Sequence, residues 1–439
     1  MTVDTLKESA SPNHAHRASP GVVVVFTTGR PACTAFVLDG HPLVFGREPV
    51  LGAAIDDPRM SRRHAELSHG SAGWTVRDLG SRNGTSVDGR VATSPVVCER
   101  APVVRFGRTV ALAVPDVTPF TAPLPMRGQD VVIGPTLRAA LAEIAVAAAA
   151  GADLLVLGES GSGKEMAAKH FHRAGPHSSG PLIAVNCAAI PTGIAERLLF
   201  GTVKGAYSGA STEALGYVRS ADGGVLFLDE FGELDLDVQA KLLRVIETKE
   251  VIAVGASRGR RVDASFCLAT NRDLRAAVSE GKFRGDLYYR VTQAAVAVPP
   301  LRERREEIPW LVQLAVEGEA PGVAIDAELV EACMLRPWPG NVRELLGEIR
   351  RVARVAQTQS APLRPLLLAP EVGRAVVESA PEPHKNRRLP VTAAAVVRAL
   401  HESRSVSAAA LVLGIHRSHL YRLIRQFGID VNPASPSSD

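Results

Sequence analysis

The stretch Gly158-Glu-Ser-Gly-Ser-Gly-Lys164-Glu165 constrains the fold more than any other part of the chain. It follows the apolar run 153–157 and precedes a helix-like segment that begins at Glu165. A strand that ends at glycines and restarts as a helix aims several backbone N–H groups and the positive end of the helix dipole at one point. That point suits a phosphate, and Lys164 can reach the outer phosphates of a nucleotide. The pattern therefore predicts an α/β domain with a phosphate-binding loop.

Every residue of this loop is a candidate nucleotide ligand. Glu165 stands where such loops usually carry a Ser or Thr whose hydroxyl touches magnesium, so the metal must use other ligands. The alternative is an ordinary strand-to-helix turn in a glycine-rich chain. The predicted nucleotide ligands are Gly158, Glu159, Ser160, Gly161, Ser162, Gly163, Lys164 and Glu165.

The run Val225-Leu-Phe-Leu-Asp229-Glu230 predicts a buried parallel strand whose carboxyl end presents two acids. Asp229 suits a magnesium ligand, and Glu230 suits a base that orients the attacking water. Two acids that merely solubilise a strand end are the alternative. A nucleotide and Mg²⁺ are therefore the predicted ligands of this site.

Polar residues further along fit the same chemistry. Asn271 ends another apolar strand, and Arg284 and Arg290 lie shortly after it. Arginines help phosphoryl transfer by neutralising charge in the transition state, often from a neighbouring subunit. Surface ion pairs are the alternative for both arginines.

Composition places the chain among soluble multidomain proteins. Its 439 residues fit roughly three domains. The residues are 46% hydrophobic and 22% charged, and the formal net charge is +4. Five cysteines without a C-x-x-C pair argue against a disulfide framework or a zinc site and favour a reducing compartment. No apolar signal segment is visible at the polar N-terminus, and charges interrupt the most apolar stretch. We expect a cytoplasmic protein without a membrane partner.

Residues 1–20 are polar, and we expect a disordered leader there. Residues 21–115 alternate short β-rich runs with glycine turns, which predicts a β-sandwich. Three polar clusters lie inside it, at 45–47, 61–64 and 79–85. Loops of this composition at one end of a sandwich can hold a phosphate and the peptide that bears it.

These clusters resemble the forkhead-associated (FHA) domain, which binds phosphothreonine peptides. The resemblance implies that Arg47 and Ser61 hold the phosphate, that Arg62 and Asn83 hold the peptide, and that His64 braces the loop. A sandwich with a silent surface is the alternative.

Seven motifs follow one another along the chain: 158–165 (GESGSGKE), 185–187 (VNC), 200–210 (FGTVKGAYSGA), 223–230 (GGVLFLDE), 283–290 (FRGDLYYR), 299–304 (PPLRER) and 338–345 (WPGNVREL). In this order they resemble the AAA+ domain of sigma-54-dependent transcriptional activators. That family usually carries Glu at the position of Glu165.

The resemblance also implies roles for individual residues. It makes Asn186 the partner of Glu230 and Asn271 the sensor of the γ-phosphate. Arg284 and Arg290 become fingers that reach into the adjacent subunit, and Arg343 becomes a second sensor in a helical lid. Such head-to-tail contacts close into a ring, which we expect to be a hexamer.

The loop that contacts sigma-54 in that family usually reads Gly-Ala-Phe-Thr-Gly-Ala. Here Tyr207 and Ser208 replace the Phe and Thr, which preserves an aromatic ring and a hydroxyl. An ordinary surface turn is the alternative. The predicted contact loop is Gly205, Ala206, Tyr207, Ser208, Gly209 and Ala210.

Two helical segments joined near Gly414 resemble the Fis-type helix-turn-helix, whose second helix enters the major groove. A solvated basic helix is the alternative. By this resemblance Arg417, Ser418 and His419 read bases, and Arg422 and Arg425 touch phosphates.

The predicted fold is therefore a β-sandwich, then a P-loop α/β domain with a helical lid, then a small all-α helix-turn-helix. The predicted boundaries are a leader 1–20, a sandwich 21–115, a linker 116–128, an α/β subdomain 129–301, a lid 302–366, a linker 367–388 and a DNA-binding domain 389–432.

These parts together predict a transcription activator that binds enhancer DNA and remodels sigma-54 RNA polymerase by ATP hydrolysis. Its input would be a phosphothreonine protein or a Ser/Thr kinase, and we expect the proline-rich linker 116–128 to carry the signal to the ring. The alternative is a DNA-bound phosphopeptide adaptor that does not act through sigma-54 and uses ATP as an assembly switch.

Overall fold

The computed structural model describes residues 18–48, 52–121, 131–191, 193–206, 212–374, 393–403, 405–413 and 417–429. It divides between residues 375 and 376 into two compact units. The first unit contains the sandwich, the α/β domain and the lid. Within the described ranges, no helix is long and apolar enough to cross a membrane.

The sandwich confirms the predicted β-fold of the N-terminal region. Residues 18–121 form, in the parts that are described, the strands β1 (Gly21–Thr27), β2 (Arg30–Val37), β3 (Leu43–Gly46), β4 (Gly52–Ala54), β5 (Ala65–Gly70), β6 (Gly73–Asp78), β7 (Thr85–Val87), β8 (Arg90–Val91), β9 (Val96–Cys98), β10 (Val103–Phe106) and β11 (Thr109–Val114). One sheet has the order β2-β1-β11-β10-β7-β8, and the other has the order β4-β3-β5-β6-β9.

The strands β1 and β11 of the six-stranded sheet are buried on both faces. Val22 and Val24 of β1 point into the sandwich core, whereas Val23 and Val25 belong to a second core shared with the helical lid. Leu112 of β11 lies in that second core as well. Residues buried on both faces explain why β1 is an unbroken apolar run rather than an alternating one. We call the lid-facing side, which carries Val23, Val25, Val103, Arg105 and Leu112, the outer face of this sheet.

The α/β domain is built on a parallel sheet with strand order β13-β14-β17-β12-β18. Its strands are β12 (Leu154–Leu157), β13 (Leu182–Asn186), β14 (Val225–Asp229), β17 (Ser265–Thr270) and β18 (Ala295–Ala297), with a small pair β15 (Glu250–Val251) and β16 (Arg260–Arg261). Its helices are α1 (Pro135–Ala149), α2 (Lys164–Ala174), α3 (Ala195–Phe200), α4 (Tyr217–Ser220), α5 (Leu236–Thr248), α6 (Leu274–Ser279) and α7 (Gly285–Val291).

Parallel strands end at a common edge, which decides where the polar residues meet. β12, β14 and β17 are neighbours, and each runs in the same direction. The loop after β12, the acids that end and follow β14, and the asparagine after β17 are therefore brought to one edge of the sheet.

The lid consists of α8 (Ile308–Glu319), α9 (Ala327–Met334) and α10 (Asn341–Thr358). Trp338, fully buried, precedes α10 and donates its indole N–H to the Cys333 carbonyl at 2.7 Å. The short 3₁₀ turns of this unit are Thr118–Phe120, Cys187–Ala189, Phe231–Glu233, Leu301–Glu303, Arg305–Glu307 and Pro365–Leu367.

The structure shortens both predicted linkers. Residues 116–121 of the first linker are folded, because Val117 is buried in the core that the sandwich shares with the lid. Residues 367–374 of the second linker pack on α10, where Glu344 accepts from Gly373 N and Glu348 accepts from Ala369 N. The remaining linker residues 122–128 and 375–388 lie outside the described parts.

The sandwich also packs directly on the lid, a contact that the sequence did not predict beside the expected route through the linker. Helix α9 packs against β1, β10 and β11, and α8 packs against β2. Without these lid helices the apolar outer face would be exposed to water, which is unfavourable.

The second unit contains three helices in its described residues: α11 (Ala393–Glu402), α12 (Val406–Val412) and α13 (Arg417–Phe427). Helices α12 and α13 lie on either side of Gly414, where the sequence predicts two helical segments. Val396, Ala409, Leu420 and Ile424 form their common core.

Replacing Leu112 by Ala should destabilise the chain by about 2–5 kcal/mol, because the side chain is 5% exposed in the shared core. Urea unfolding followed by circular dichroism measures the loss. Val97→Ala is the control, since Val97 is 59% exposed and should change the free energy of unfolding by less than about 0.5 kcal/mol. Equal small losses would mean that the outer face is not packed in solution.

Candidate nucleotide site and phosphopeptide loops

The phosphate-binding loop has the geometry that its glycines predict. Gly161 and Gly163 have φ angles of 73° and 112°, in the left-handed region where a side chain is strained. Helix α2 begins at Lys164, so its free N–H groups face the loop. The Ser162 hydroxyl is buried and has no hydrogen-bond partner among the described residues. A loop of this shape, with a buried polar atom left over, fits a nucleotide phosphate.

Lys164 and Glu230 form the central contact of the site. The Lys164 ammonium donates to Glu230 Oε1 at 3.0 Å and to the Gly158 carbonyl at 3.1 Å. The other Glu230 oxygen accepts from Asn271 N at 3.1 Å. Glu230 has a left-handed φ of 51°, which is costly for a residue with a side chain and recurs at functional sites. The predicted phosphate-binding cation and catalytic carboxylate are thus in contact.

Asp229 lies beside this pair in a cleft of about 450 Å³ that is also lined by the phosphate-binding loop. Burial raises the pKa of the Asp229 carboxyl, while the Lys164 charge opposes that shift. A divalent cation would favour the ionised carboxylate more strongly. The carboxylate oxygens of Asp229 fit Mg²⁺, which prefers oxygen ligands and binds to one or two carboxylates together with phosphates.

Asn186 and Asn271 use other contacts than those expected. Asn186 lines the cleft, but its side-chain oxygen accepts from Ala188 N at 3.0 Å. The expected hydrogen bond from Asn186 to Glu230 is absent among the described residues, where Lys164 and Asn271 take that place. Asn271 acts here through its backbone N–H. A role for either side chain toward a bound nucleotide stays a prediction.

The lid reaches the phosphate-binding loop. Arg343 Nη1 donates to Ser160 Oγ at 3.2 Å, and Val342 N donates to the Gly161 carbonyl at 3.1 Å. Arg343 therefore lies where the predicted second sensor would have to lie. Glu165 is exposed and pairs with Lys169 at 2.8 Å.

Two lid-side residues that sequence reasoning left without a role hold the same loop. Arg304 is 2% exposed and donates to the Ser162 carbonyl and to Glu307. Asn341, with a left-handed φ of 53°, donates to Glu159 at 3.0 Å and accepts from Leu301 N. Arg304 belongs to the motif 299–304 and Asn341 to the motif 338–345. The motifs alone do not predict which contacts these two side chains make.

Arg284 and Arg290 lie away from this cleft. Arg284 forms a two-point ion pair with Asp286, and Arg290 is 3.4 Å from Asp153. Neither lines the cleft of its own chain. Their predicted contact with a nucleotide therefore requires a second subunit.

The residues that are predicted to bind a phosphopeptide come together at one end of the sandwich. The Arg47 side chain is exposed, and the Arg47 backbone N–H donates to the Ser61 carbonyl at 3.1 Å. Ser61 Oγ accepts from Arg82 N at 3.1 Å, and Asn83 donates to the Arg59 carbonyl at 2.6 Å. Arg62 is exposed and lies 3.8 Å from Glu48. The loops are thus tied to one another with Arg47 and Arg62 facing solvent.

His64 braces these loops as expected. Its Nδ1 accepts from Ser61 N at 3.0 Å, and its Nε2 is 3.0 Å from the Gly84 carbonyl, to which a neutral ring donates. Burial lowers the pKa of His64, although the Gly84 carbonyl and nearby carboxylates oppose the shift. The neutral imidazole is therefore part of the loop structure.

Other predicted sites are described only in part. Tyr207, Ser208, Gly209 and Ala210 lie outside the described residues, whereas Gly205 and Ala206 belong to a turn in which Ala206 N donates to the Val203 carbonyl. On α13, Arg422 and Arg425 are exposed, and Arg417, Ser418 and His419 form its first turn.

Comparison with known families agrees with this geometry. Residues 132–297 match the Sigma-54 interaction domain, residues 302–381 match the AAA+ ATPase lid domain, and residues 43–107 match the FHA domain. The site and fold therefore define an AAA+ domain of the sigma-54 activator class behind an FHA domain. The central part of the chain is thus similar to the Sigma-54 interaction domain.

Individual regulatory proteins are similar to part of the chain. The Nif-specific regulatory protein of Herbaspirillum seropedicae is 45% identical over 226 residues, which are 50% of this chain and 42% of that protein. The anaerobic nitric oxide reductase transcription regulator NorR of Enterobacter sp. (strain 638) is 39% identical over 303 residues, 65% of this chain and 60% of that protein. The chain thus spans about half the length of these curated relatives.

A solved structure of similar fold is NtrX from Brucella abortus, with a TM-score of 0.52 and 27% identity over 68% of this chain and 69% of that one. NtrX has also been crystallised in complex with ATP, and that structure has a TM-score of 0.51. It is 27% identical over 69% of this chain and 70% of that one.

Lowering the pH should loosen the loop that His64 braces. The folded state lowers the pKa of His64, so its stabilisation is complete above the unfolded value of about 6.5 and is lost as pH falls from there through the folded pKa. The hydrogen-exchange protection of the Ser61 amide should therefore decrease as pH falls.

The Ala92 amide, which donates to the Thr85 carbonyl at 2.8 Å, is the internal control and should keep its protection. His64→Gln should abolish the pH dependence at Ser61. A Ser61 amide equally protected throughout this pH range would contradict the assignment of the brace to neutral His64.

Proposed function

We propose that this protein is an ATP-hydrolysing activator of sigma-54 RNA polymerase that binds enhancer DNA and responds to a phosphothreonine protein. The observation that carries the proposal is the contact between Lys164 and Glu230 at the edge where the phosphate-binding loop, Asp229 and Arg343 converge. These residues have the types and positions that phosphoryl transfer requires.

Lys164 would bind the outer phosphates of ATP, which takes its ammonium from Glu230 and leaves that carboxylate free to accept a proton from water. Asn271 N, which already donates to Glu230, would hold the carboxylate in place. Asp229 would hold Mg²⁺, and the ion would neutralise charge on the phosphates. Arg343 would contribute from the lid, so closure of the lid completes the site.

Arg284 and Arg290 would complete the site of an adjacent subunit, because neither reaches the cleft of its own chain. Activity would then require a head-to-tail ring, which we propose is a hexamer in the cytoplasm. The loop 205–210 would contact sigma-54, with Tyr207 as its aromatic tip. α13 would bind DNA, with exposed Arg422 and Arg425 on phosphates and Arg417, Ser418 and His419 at the base edges.

Glu230→Gln should retain ATP binding but reduce hydrolysis by at least about 10²-fold, because the amide cannot take a proton from water. Fluorescent nucleotide binding and phosphate release measure the two properties. Transcription from a sigma-54 promoter should be lost with hydrolysis. The control is Glu233→Gln, three residues after Glu230, which changes an acid that pairs with Arg272.

Near-normal turnover by Glu230→Gln would refute the catalytic assignment. Loss of turnover with unchanged transcription would instead support the adaptor that does not act through sigma-54.

The input would be a phosphothreonine that binds at the loops around Ser61. Arg47 is exposed there and can form charge-assisted hydrogen bonds with the phosphate, while the Ser61 and Asn83 side chains are already oriented by loop contacts. A preorganised site of this kind loses little entropy when a peptide binds.

Arg47→Ala should abolish the preference of the full chain for phosphothreonine peptides over their unphosphorylated forms. A peptide library with one fixed phosphothreonine, read by fluorescence polarisation, provides the measurement. Arg90→Ala, which removes an exposed arginine from β8, should leave binding intact. If neither the wild type nor the control variant distinguishes phosphorylated from unphosphorylated peptides, the proposed input is wrong.

A further inference from the structure

One buried carboxylate of the lid accepts two hydrogen bonds from the FHA domain. Glu331 of α9 accepts from Ser86 Oγ and from Arg105 Nε, at 2.6 Å each. Its side chain is 6% exposed, so both bonds lie away from bulk water. Glu328, one turn earlier, is 3.7 Å from Arg105 and is 55% exposed. Glu331 is therefore the anchor, and Glu328 is a solvent-screened contact at the rim.

The anchor lies close in the chain to the phosphopeptide loops. Ser86 belongs to β7, which starts two residues after Asn83. Between them, Thr85 donates to the Asp78 carboxylate at 2.6 Å, and the same carboxylate accepts from Ser81 Oγ. These bonds restrain the segment between Ser81 and Thr85. A peptide that displaces the loop around Asn83 would therefore also move Ser86 relative to Glu331.

A second contact joins the FHA domain to the phosphate-binding loop through the segment 302–307. Arg305 donates to the Ala101 carbonyl of the FHA domain at 3.2 Å. The preceding Arg304 donates to the Ser162 carbonyl of the phosphate-binding loop. Arg302 pairs with Glu159 of that loop at 2.7 Å. One short segment therefore contacts both binding regions.

The docked interface also contains a destabilising group. Glu306 lies in a small cavity beside Val25 and Cys33, and its Oε1 has no hydrogen-bond partner among the described residues. Burial, reinforced by Glu307, raises the pKa of Glu306 to about 8. An unsatisfied buried carboxyl opposes docking, because release would return it to water. Glu331 therefore favours the docked state and Glu306 opposes it.

We infer that docking of the FHA domain on α9 through Glu331 holds the lid against the phosphate-binding loop, and that this docking couples phosphopeptide binding to nucleotide binding. The lid is already closed on that loop through Val342 and Arg343. Loss of docking frees the lid, so nucleotide should then dissociate faster. The phosphopeptide part of this inference rests on the proposed input.

The first test measures the fluorescent nucleotide mant-ADP on the full chain. Glu331→Ala should raise its Kd and its dissociation rate by at least about fivefold, the lower end of ordinary coupling between sites. Ser86→Ala removes only one hydroxyl and should give a smaller change of the same sign. Glu319→Gln alters a lid acid paired with Arg354 and should change neither value.

Circular dichroism checks that each variant is folded. If Glu331→Ala does not fold, mant-ADP binding by Ser86→Ala tests the inference. Folded variants at Glu331 and Ser86 with wild-type mant-ADP binding would overturn the inference, whatever the phosphopeptide result.

The second test separates coupling from a merely structural role. The peptide that binds tightest in the phosphothreonine library should change the Kd of mant-ADP, and mant-ADP should change the Kd of that peptide by the same factor. Glu331→Ala should bring both factors close to one while the peptide still binds without nucleotide.

The outcomes are distinguishable. A wild-type chain that binds no phosphopeptide refutes the proposed input, and with it the phosphopeptide half of this inference, while the first test still decides whether docking controls nucleotide release. A chain that binds the peptide with both factors equal to one keeps its proposed input and overturns the coupling.

Discussion

Burial of the outer face of the FHA sheet against the lid is the constraint on which the arrangement of the first unit depends. The apolar side chains of β1, β10 and β11 form one core with α8, α9 and α10, so neither part presents a finished surface alone. Apolar burial supplies the non-directional attraction, and the bonds of Glu331 to Ser86 and Arg105 fix the register. In any other register the Glu331 carboxylate would be buried without these donors. The cost of an unpaired buried charge disfavours those registers.

Local patterns were enough to predict the nucleotide site, whereas the contact between domains was not predicted. The loop 158–165 and the acids 229–230 report on backbone conformation over a few residues, and parallel strands must then bring them to one edge. The docking of the FHA domain depends on residues more than two hundred positions apart, such as Ser86 and Glu331. The unbroken run 22–26 was its one local signal, since a sheet with one wet face would alternate.

The sequence also did not predict which side chains form hydrogen bonds with one another inside the site. Asn186 and Asn271 both follow buried strands, and a motif alone does not say which of them bonds to Glu230. The left-handed backbone at Glu230 turns its carboxylate toward Lys164 and Asn271 N, and Asn186 is left to cap the turn at Ala188. The residues that hold the phosphate-binding loop from the lid, Arg304 and Asn341, were overlooked because buried polar side chains are recognised by their environment.

The lid is the element through which these constraints meet. α10 contacts the phosphate-binding loop through Val342 and Arg343, and α9 carries Glu331 on the side that faces the FHA domain. Both helices contribute to one core, in which Leu329, Val330, Leu345 and Ile349 are fully buried. A close-packed core does not deform gradually, so a displacement of α9 is passed to α10 as a movement of the whole lid. The position of Arg343 over the nucleotide cleft therefore depends on what α9 is docked against.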